Sequence, residues 1–202
     1  MNSKSPTKQS ILHHSIRMFA DQGYESVSMR NIAAAVGIRA ASIYNHYESK
    51  ETLLADAYNY FLTHADLNRL TLEECEPVLR SGNATEIMSL FNYPLAEPVE
   101  IVFASVRLVW ARRYVDEAAK RLFNESVIDG AMAYMHQVLN RGVEIGRIRM
   151  TPDEIRHFST AMLALRVYTA SAVVTDPNQT KWRDVENETT AYLCRLLTLT
   201  ED

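Results

Sequence analysis

The sequence is poor in the residues that build turn-rich or cross-linked folds. Its 202 residues include only six Gly, six Pro and two Cys. Few Gly and Pro disfavour a sandwich or barrel full of tight turns, and abundant Leu, Ala, Arg and Glu favour helices. Cys75 and Cys194 are isolated, with no CxxC motif, which disfavours a disulfide scaffold or a structural zinc site. The composition therefore predicts an all-α chain.

Long apolar segments are also missing. Residues 161–165 form one of the longest apolar runs, which ends at Arg166 and is far shorter than the roughly 18 residues of a membrane span. The polar residues 1–10 precede no apolar signal-peptide core. We therefore expect a cytoplasmic protein with no membrane contact.

Catalytic motifs are absent from the sequence as well. It contains no Ser/His/acid arrangement at a known spacing, no Gly-rich phosphate loop and no HExxH motif. His64, His136 and His157 are scattered singly, which is more typical of satisfied or surface histidines than of metal ligands. We therefore expect no enzyme, no cofactor and no metal site.

The charge of the chain is unevenly distributed. A net charge of -4 disfavours nucleic acid as a partner, because phosphate binding needs a basic surface. Residues 1–50, however, hold six basic and three acidic groups, so this segment carries +3 and the rest of the chain carries -7. The division suggests two parts with different partners.

Three short helices and the start of a longer one are predicted in the first fifty residues. Gly23 is the expected C-terminal cap of the first helix. Ser28 is placed to cap the second helix, which Gly37 ends after about two turns. A third helix is expected over residues 39–46, and Ser49 is the expected cap of the fourth.

This layout is that of a helix-turn-helix, in which two short helices flank a tight turn and pack on a third. The predicted third helix turns Ile43 and Tyr47 inward and presents polar or small residues outward. Arg and Asn can read guanine and adenine, and small residues let a helix lie deep in the major groove. The pattern alone leaves a solvated helix of an all-α protein equally open.

Five segments carry a resemblance to a known family. They are ILHHSIRMFADQG, SMRNIA, VGI, SIYNHY and SKETL, in this order within residues 8–60. Together they closely resemble the DNA-binding domain of the TetR (tetracycline-repressor) family of bacterial transcription regulators. A single segment is a weak signal, whereas the ordered series at the family's spacing is a strong one.

The resemblance implies roles for individual residues. Ser28 and Lys50 match positions that hold backbone phosphates. Tyr44 and His46 match recognition-helix positions that contact phosphate and neighbouring bases. The family's base-reading positions are occupied here by Arg30, Arg39, Ala40, Ser42 and Asn45.

Two of these residues have the side chains best suited to read a base. We predict a bidentate guanine contact for Arg39 and an adenine contact for Asn45. Arg39 stands where the family commonly has Ser or another capping residue, and Ala40 where Lys or Gln is frequent. No operator sequence therefore follows from the resemblance.

The C-terminal part ends in two predicted amphipathic helices. Residues 151–154 combine an N-cap Thr, a first-position Pro and a capping-box Glu, which predicts a helix running to about residue 174. Asp176 and Pro177 then precede a last helix. The pair resembles the two helices that in this family build a four-helix bundle with a second subunit. A homodimer through these helices is expected, since one short recognition helix reads too few bases.

The resemblance also implies a small-molecule pocket between the middle helices. Aromatic and Met side chains would suit a largely apolar effector with one or two polar groups. The candidate lining residues are Phe61, Phe91, Phe103, Arg107, Trp110, Tyr134, Met135, Met162 and Tyr168. Each of these is also explained as a core residue, and Arg107 as a cation that reaches solvent or anchors an acidic ligand.

Together these patterns predict an all-α protein of about nine helices. Residues 1–48 are the predicted helix-turn-helix DNA-binding domain, and residues 49–202 the helical ligand-binding and dimerisation domain, with 49–66 as the connecting helix. The predicted function is a ligand-responsive transcriptional regulator, a repressor released from a palindromic operator in double-stranded DNA by a small molecule. The alternative is a helical small-molecule sensor without sequence-specific DNA binding.

Overall fold

The computed structural model describes residues 6–66, 69–91, 99–175 and 181–200. No β-strand occurs in these ranges, although an isolated antiparallel bridge pairs Ile148 with Leu199. The all-α prediction is confirmed. Over the same ranges, no helix combines the length and the apolar character that crossing a bilayer requires.

The described residues form a series of α-helices. In chain order they are α1 (Pro6–Gln22), α2 (Met29–Val36), α3 (Ala40–Ile43), α4 (Lys50–Asp66), α5 (Leu72–Ser81), α6 (Ala84–Ser89), α7 (Val99–Arg112), α8 (Glu117–Leu122), α9 (Gly130–Glu144), α10 (Pro152–Thr175) and α11 (Lys181–Leu196). A π-helical segment, Phe123–Asp129, joins α8 to α9.

Packing divides the chain into two compact units. The first lies within residues 1–68 and 95–126, and the second within residues 69–94 and 127–202. In the first unit α7 packs against α1 and α4, so α7 and α8 share a unit with the N-terminal helices. The predicted functional boundary after residue 48 remains a prediction.

Local capping signals set the ends of α1 and α2 as predicted. Gly23 and Gly37 follow the two helices with φ of +82° and +79°, in the left-handed region that favours glycine. The Ser28 hydroxyl accepts a bond from the Asn31 amide (3.2 Å), and the Asn31 side chain accepts one from the Ser28 amide (2.9 Å). This reciprocal cap fixes the start of α2.

The third helix is shorter than predicted. Only Ala40–Ile43 are α-helical, and the Asn45 and His46 amides bond to carbonyls three residues back, at 3.3 and 3.0 Å. Arg39 occupies the N-cap position with an extended backbone, but its side chain makes no capping bond. The helix ends early because three-residue turns replace α-helical bonding after Ile43.

The second unit has its own apolar core, built from α5, α6, α9, α10 and α11. Leu79, Ile87, Val138, Phe158 and Leu193 are among its buried residues. The predicted capping box at the start of α10 is confirmed: the Glu154 carboxylate accepts a bond from the Thr151 amide (2.7 Å), and the Thr151 hydroxyl accepts one from the Glu154 amide (3.3 Å). The predicted break at Asp176 and Pro177 lies outside the described residues.

Candidate nucleic-acid interface

The residues predicted to contact DNA lie on α2, on α3 and the turn after it, at the caps that precede these two helices, and at the start of α4. Ser28, Arg30, Arg39, Ala40, Tyr44 and Asn45 are exposed, and Ser42, His46 and Lys50 are half-buried. Tyr44 exposes 54% of its surface, whereas Ile43 and Tyr47 beside it are buried. The region is thus divided into an inner apolar side and an outer polar side, as predicted.

Two exposed cations on this outer side carry the positive charge. Among the described residues neither Arg30 nor Arg39 has an ion-pair partner. An exposed guanidinium that is not held by a carboxylate can pair bidentately with a phosphate or with the O6 and N7 atoms of guanine. The exposure of both side chains therefore suits the base-reading role that the resemblance implies for these positions.

The Lys50 ammonium holds the loop between α1 and α2. Its Nζ donates to the carbonyls of Tyr24 (2.8 Å) and Val27 (3.0 Å) and lies 4.0 Å from the centre of the Tyr24 ring. An ammonium has a further N–H beyond those two bonds, which suits an additional acceptor such as a phosphate. Lys50 therefore also stabilises this loop, a structural role that the resemblance to the family did not indicate.

The Ser28 hydroxyl is engaged within α2. Besides accepting the Asn31 amide, it donates to the Asn31 side-chain oxygen. Because a hydroxyl has one proton to donate, a phosphate contact through Ser28 Oγ requires that proton to leave Asn31.

Tyr47 anchors the end of the recognition segment, α3 with the turn after it (residues 40–47), to α4. Its hydroxyl donates to the Asp56 carboxylate (2.9 Å), and burial, with this bond and the Asp56 charge, raises the pKa of Tyr47 above its usual value. The phenol therefore stays protonated and donating at any physiological pH. The sequence identified Tyr47 only as a core residue, because no spacing pattern marks a pair between a turn and a separate helix.

The candidate pocket residues are distributed over both units. Phe61, Phe103, Arg107 and Trp110 belong to the first, and Phe91, Tyr134, Met135, Met162 and Tyr168 to the second. Their role as ligand contacts remains a prediction.

Within the first unit these side chains have different environments. Phe61 is 1% exposed, and Phe103 is 42% exposed. Arg107 forms an ion pair with Asp21 on α1. Trp110 meets the Phe123 ring edge-on, with 5.0 Å between ring centres, and the Arg113 guanidinium lies 4.2 Å from the centre of its ring.

Within the second unit the structure brings most of the candidates into one core. Met135 and Met162 are buried there, and the Tyr134 ring contacts the Phe91 ring with 6.4 Å between centres. The Tyr134 hydroxyl donates to the Leu90 carbonyl (3.0 Å), and burial raises the pKa of Tyr134. Tyr168, by contrast, is half exposed.

The N-terminal helices match a known family. Residues 11–57 fit the model of bacterial regulatory proteins of the tetR family, a match that covers most of α1, all of α2 and α3, and the first part of α4. This segment of the chain is therefore similar to the tetR family. The match includes every residue that was predicted to contact DNA. The segment that is similar to the family is therefore also the segment with the exposed polar side.

Similar proteins extend this finding. The chain is 39% identical over 62 residues to the uncharacterized HTH-type transcriptional regulator YerO of Bacillus subtilis, a match that covers 31% of the chain and 20% of YerO. It is 28% identical over 155 residues to the HTH-type transcriptional repressor AcnR of Corynebacterium glutamicum, covering 75% of the chain and 74% of AcnR. Both names are those of regulators, in agreement with the predicted class of protein.

The fold of the whole chain is also found among solved structures. A protein from Saccharomonospora viridis, crystallised in complex with choline, superposes with a TM-score of 0.72 at 17% identity, covering 98% of this chain and all of that one. At this identity the likeness concerns the fold alone.

Proposed function

We propose that the protein is a homodimeric repressor that reads a palindromic operator in double-stranded DNA through α2, α3 and the turn after α3. One observation carries the proposal: the segment that matches the family has an exposed polar side over a buried apolar side. On the polar side, Arg30 and Arg39 have no ion-pair partner among the residues that the structure describes. Such a surface supplies both the phosphate attraction and the donor groups that base reading needs.

An exposed apolar stripe on α11 supports the homodimer. Val185, Tyr192 and Leu196 are seven and four residues apart, so they lie along one side of the helix, and all three are exposed. Leu193 and Leu197, about a quarter turn away, are buried in the core of the second unit. The helix therefore has a second apolar side, which a second copy of this chain could cover. In dimers of the resembling family the corresponding helix also contacts the second subunit.

A small-molecule effector completes the proposed function. Its binding would favour dimers whose recognition segments are misplaced for the operator and so release the DNA. By linkage, operator DNA must weaken effector binding by the same factor. Four of the candidates, Phe91, Tyr134, Met135 and Met162, pack together within the second unit, and side chains of these types favour a largely apolar effector. The choline complex of the Saccharomonospora viridis protein is an instance of a small organic ligand in this fold.

Replacing Arg39 by alanine tests base reading. We expect the variant to lose about 1–3 kcal/mol of discrimination at one base pair, because a bidentate arginine contact is worth this much. The measurement is fluorescence anisotropy with a duplex selected from a random pool and with its single-base-pair variants, at fixed salt.

The matched control is Arg80→Ala. Arg80 is an exposed arginine on α5, paired with Glu76, and we expect its removal to leave DNA binding unchanged. If Arg39→Ala retains full discrimination at every base pair, Arg39 is not a base-reading residue. If the wild-type protein prefers no duplex over any other, sequence-specific binding itself is excluded.

A further inference from the structure

Arg112, at the C-terminal end of α7, joins three other elements of the first unit. Its guanidinium lies 4.3 Å from the centre of the Tyr24 ring and 3.6 Å from the Glu25 carboxylate, both in the loop between α1 and α2. It also donates to the Tyr58 hydroxyl on α4 (3.1 Å) and to the Asp116 carboxylate before α8 (3.2 Å). Only 14% of the side chain is exposed, so these contacts are its main surroundings.

Tyr24 is held from several directions at the loop end of this network. Its ring is buried, lies under the Lys50 ammonium and meets the Phe19 ring edge-on at 5.1 Å. Its hydroxyl donates to Glu51 (3.3 Å), and burial, reinforced by the Glu51 charge, raises the pKa of Tyr24 to about 12. The loop that Tyr24 opens leads directly to Ser28, the cap of α2, so its position sets where α2 begins.

Asp116 fixes the other end of the network. Its carboxylate caps α8 by accepting the amides of Ala118 (2.9 Å) and Ala119 (3.2 Å), and it accepts the Tyr58 hydroxyl (3.0 Å). Burial alone would raise the pKa of Asp116, but these bonds and the one from Arg112 outweigh burial and lower it. The carboxylate therefore remains ionised and gives the guanidinium a fixed, charged partner.

We propose that Arg112 is a positioning residue for DNA binding, which links the end of α7 and the cap of α8 to the loop that places α2 and α3. The inference rests on the proposed function, since it concerns the same DNA-reading segment. A planar guanidinium can keep its bonds to Tyr58 and Asp116 and its contact with Tyr24 only while these groups hold one geometry. A displacement of α7 or of the α8 cap is therefore transmitted to the loop before α2. The loss of the Arg112 contacts lowers the affinity for every base sequence alike, because these contacts order the loop and α2 as a whole rather than one base-reading side chain.

Hydrogen exchange and DNA binding of Arg112 variants test this role. For Arg112→Met we expect backbone amides in residues 24–36 to exchange about tenfold faster, because the loop opens locally more often. We expect the affinity for every duplex to fall by about the same tenfold factor. Arg112→Lys, which keeps the charge but loses the planar fork, is expected to give a smaller change in both quantities and serves if the Met variant does not fold.

Two further variants serve as controls. Arg80→Met removes an exposed arginine of the second unit and should change neither quantity. Tyr24→Phe keeps the ring that both cations contact and should retain most of the wild-type exchange protection.

The two measurements separate the possible failures. Wild-type exchange rates in residues 24–36 of a folded Arg112→Met variant, or of Arg112→Lys where the Met variant does not fold, would overturn the coupling, whatever the DNA result. Faster exchange with unchanged DNA affinity would overturn the positioning role. A wild-type protein that binds no duplex would instead contradict the proposed function, while the exchange data would still decide the coupling.

Discussion

Replacing Tyr192 by glutamate is expected to convert the protein into a monomer and to lower its affinity for a palindromic duplex by about a hundredfold or more, which corresponds to about 2.7 kcal/mol. Tyr192 exposes 53% of its surface at the centre of the α11 stripe, between Val185 and Leu196. A carboxylate there would be buried without a partner in the dimer, at a cost of several kcal/mol. The loss of DNA affinity follows because each recognition segment then binds its half-site alone.

Gln137→Glu is the matched control for this variant. Gln137 is exposed on α9, also in the second unit, and the substitution adds the same single negative charge away from the stripe. We expect it to remain a dimer and to bind DNA as the wild type does. Sedimentation velocity at micromolar concentration, with anisotropy titrations, distinguishes the two variants. A Tyr192→Glu protein that stays dimeric with full affinity would contradict the proposed interface.

Replacing Phe61 by alanine is expected to lower the free energy of unfolding by about 3–5 kcal/mol, as for other aromatic residues removed from a packed core. Phe61 is only 1% exposed, on the inner side of α4. The loss combines the apolar surface that is no longer buried with the cavity left behind. Urea unfolding followed by circular dichroism measures it, provided that the slope of the transition is unchanged.

Phe103→Ala is the control for Phe61→Ala. Both side chains are phenyl groups on helices of the first unit, but Phe103 exposes 42% of its surface. We expect it to lose less than about 1.5 kcal/mol, because less apolar surface returns to water. If Phe61→Ala also costs less than this, Phe61 borders open space, and the prediction that it lines a ligand pocket gains support over the core explanation.

The parts of the fold that depend on neighbouring residues in the chain could be predicted from the sequence. The caps Ser28 and Thr151 and the left-handed Gly37 act within one turn of the helices that they begin or end. The length of α3 could not be predicted in this way. Its C-terminal end is set by the tight turns that follow Ile43. No residue pattern in the sequence marks where these turns begin.

The parts of the site that depend on tertiary contacts were missed for a physical reason. Lys50 bonds to carbonyls 23 and 26 residues earlier, and Arg112 contacts Tyr24 from another helix. Periodicity reports which side of a helix is buried but not which residue it meets. For the same reason the candidate pocket residues were predicted as one group, although packing places them in two units.

Selection of bound duplexes from a random pool is the most direct test of operator reading by a dimer of this chain. We predict that the selected sequences converge on an inverted repeat whose half-site centres lie about 10 base pairs, or a multiple of this, apart. The same selection with Arg39→Ala should retain the repeat but lose preference at one base pair of each half-site. Selected sequences that converge on a single, unrepeated site, or that do not converge at all, would contradict the reading of a palindromic operator by a dimer.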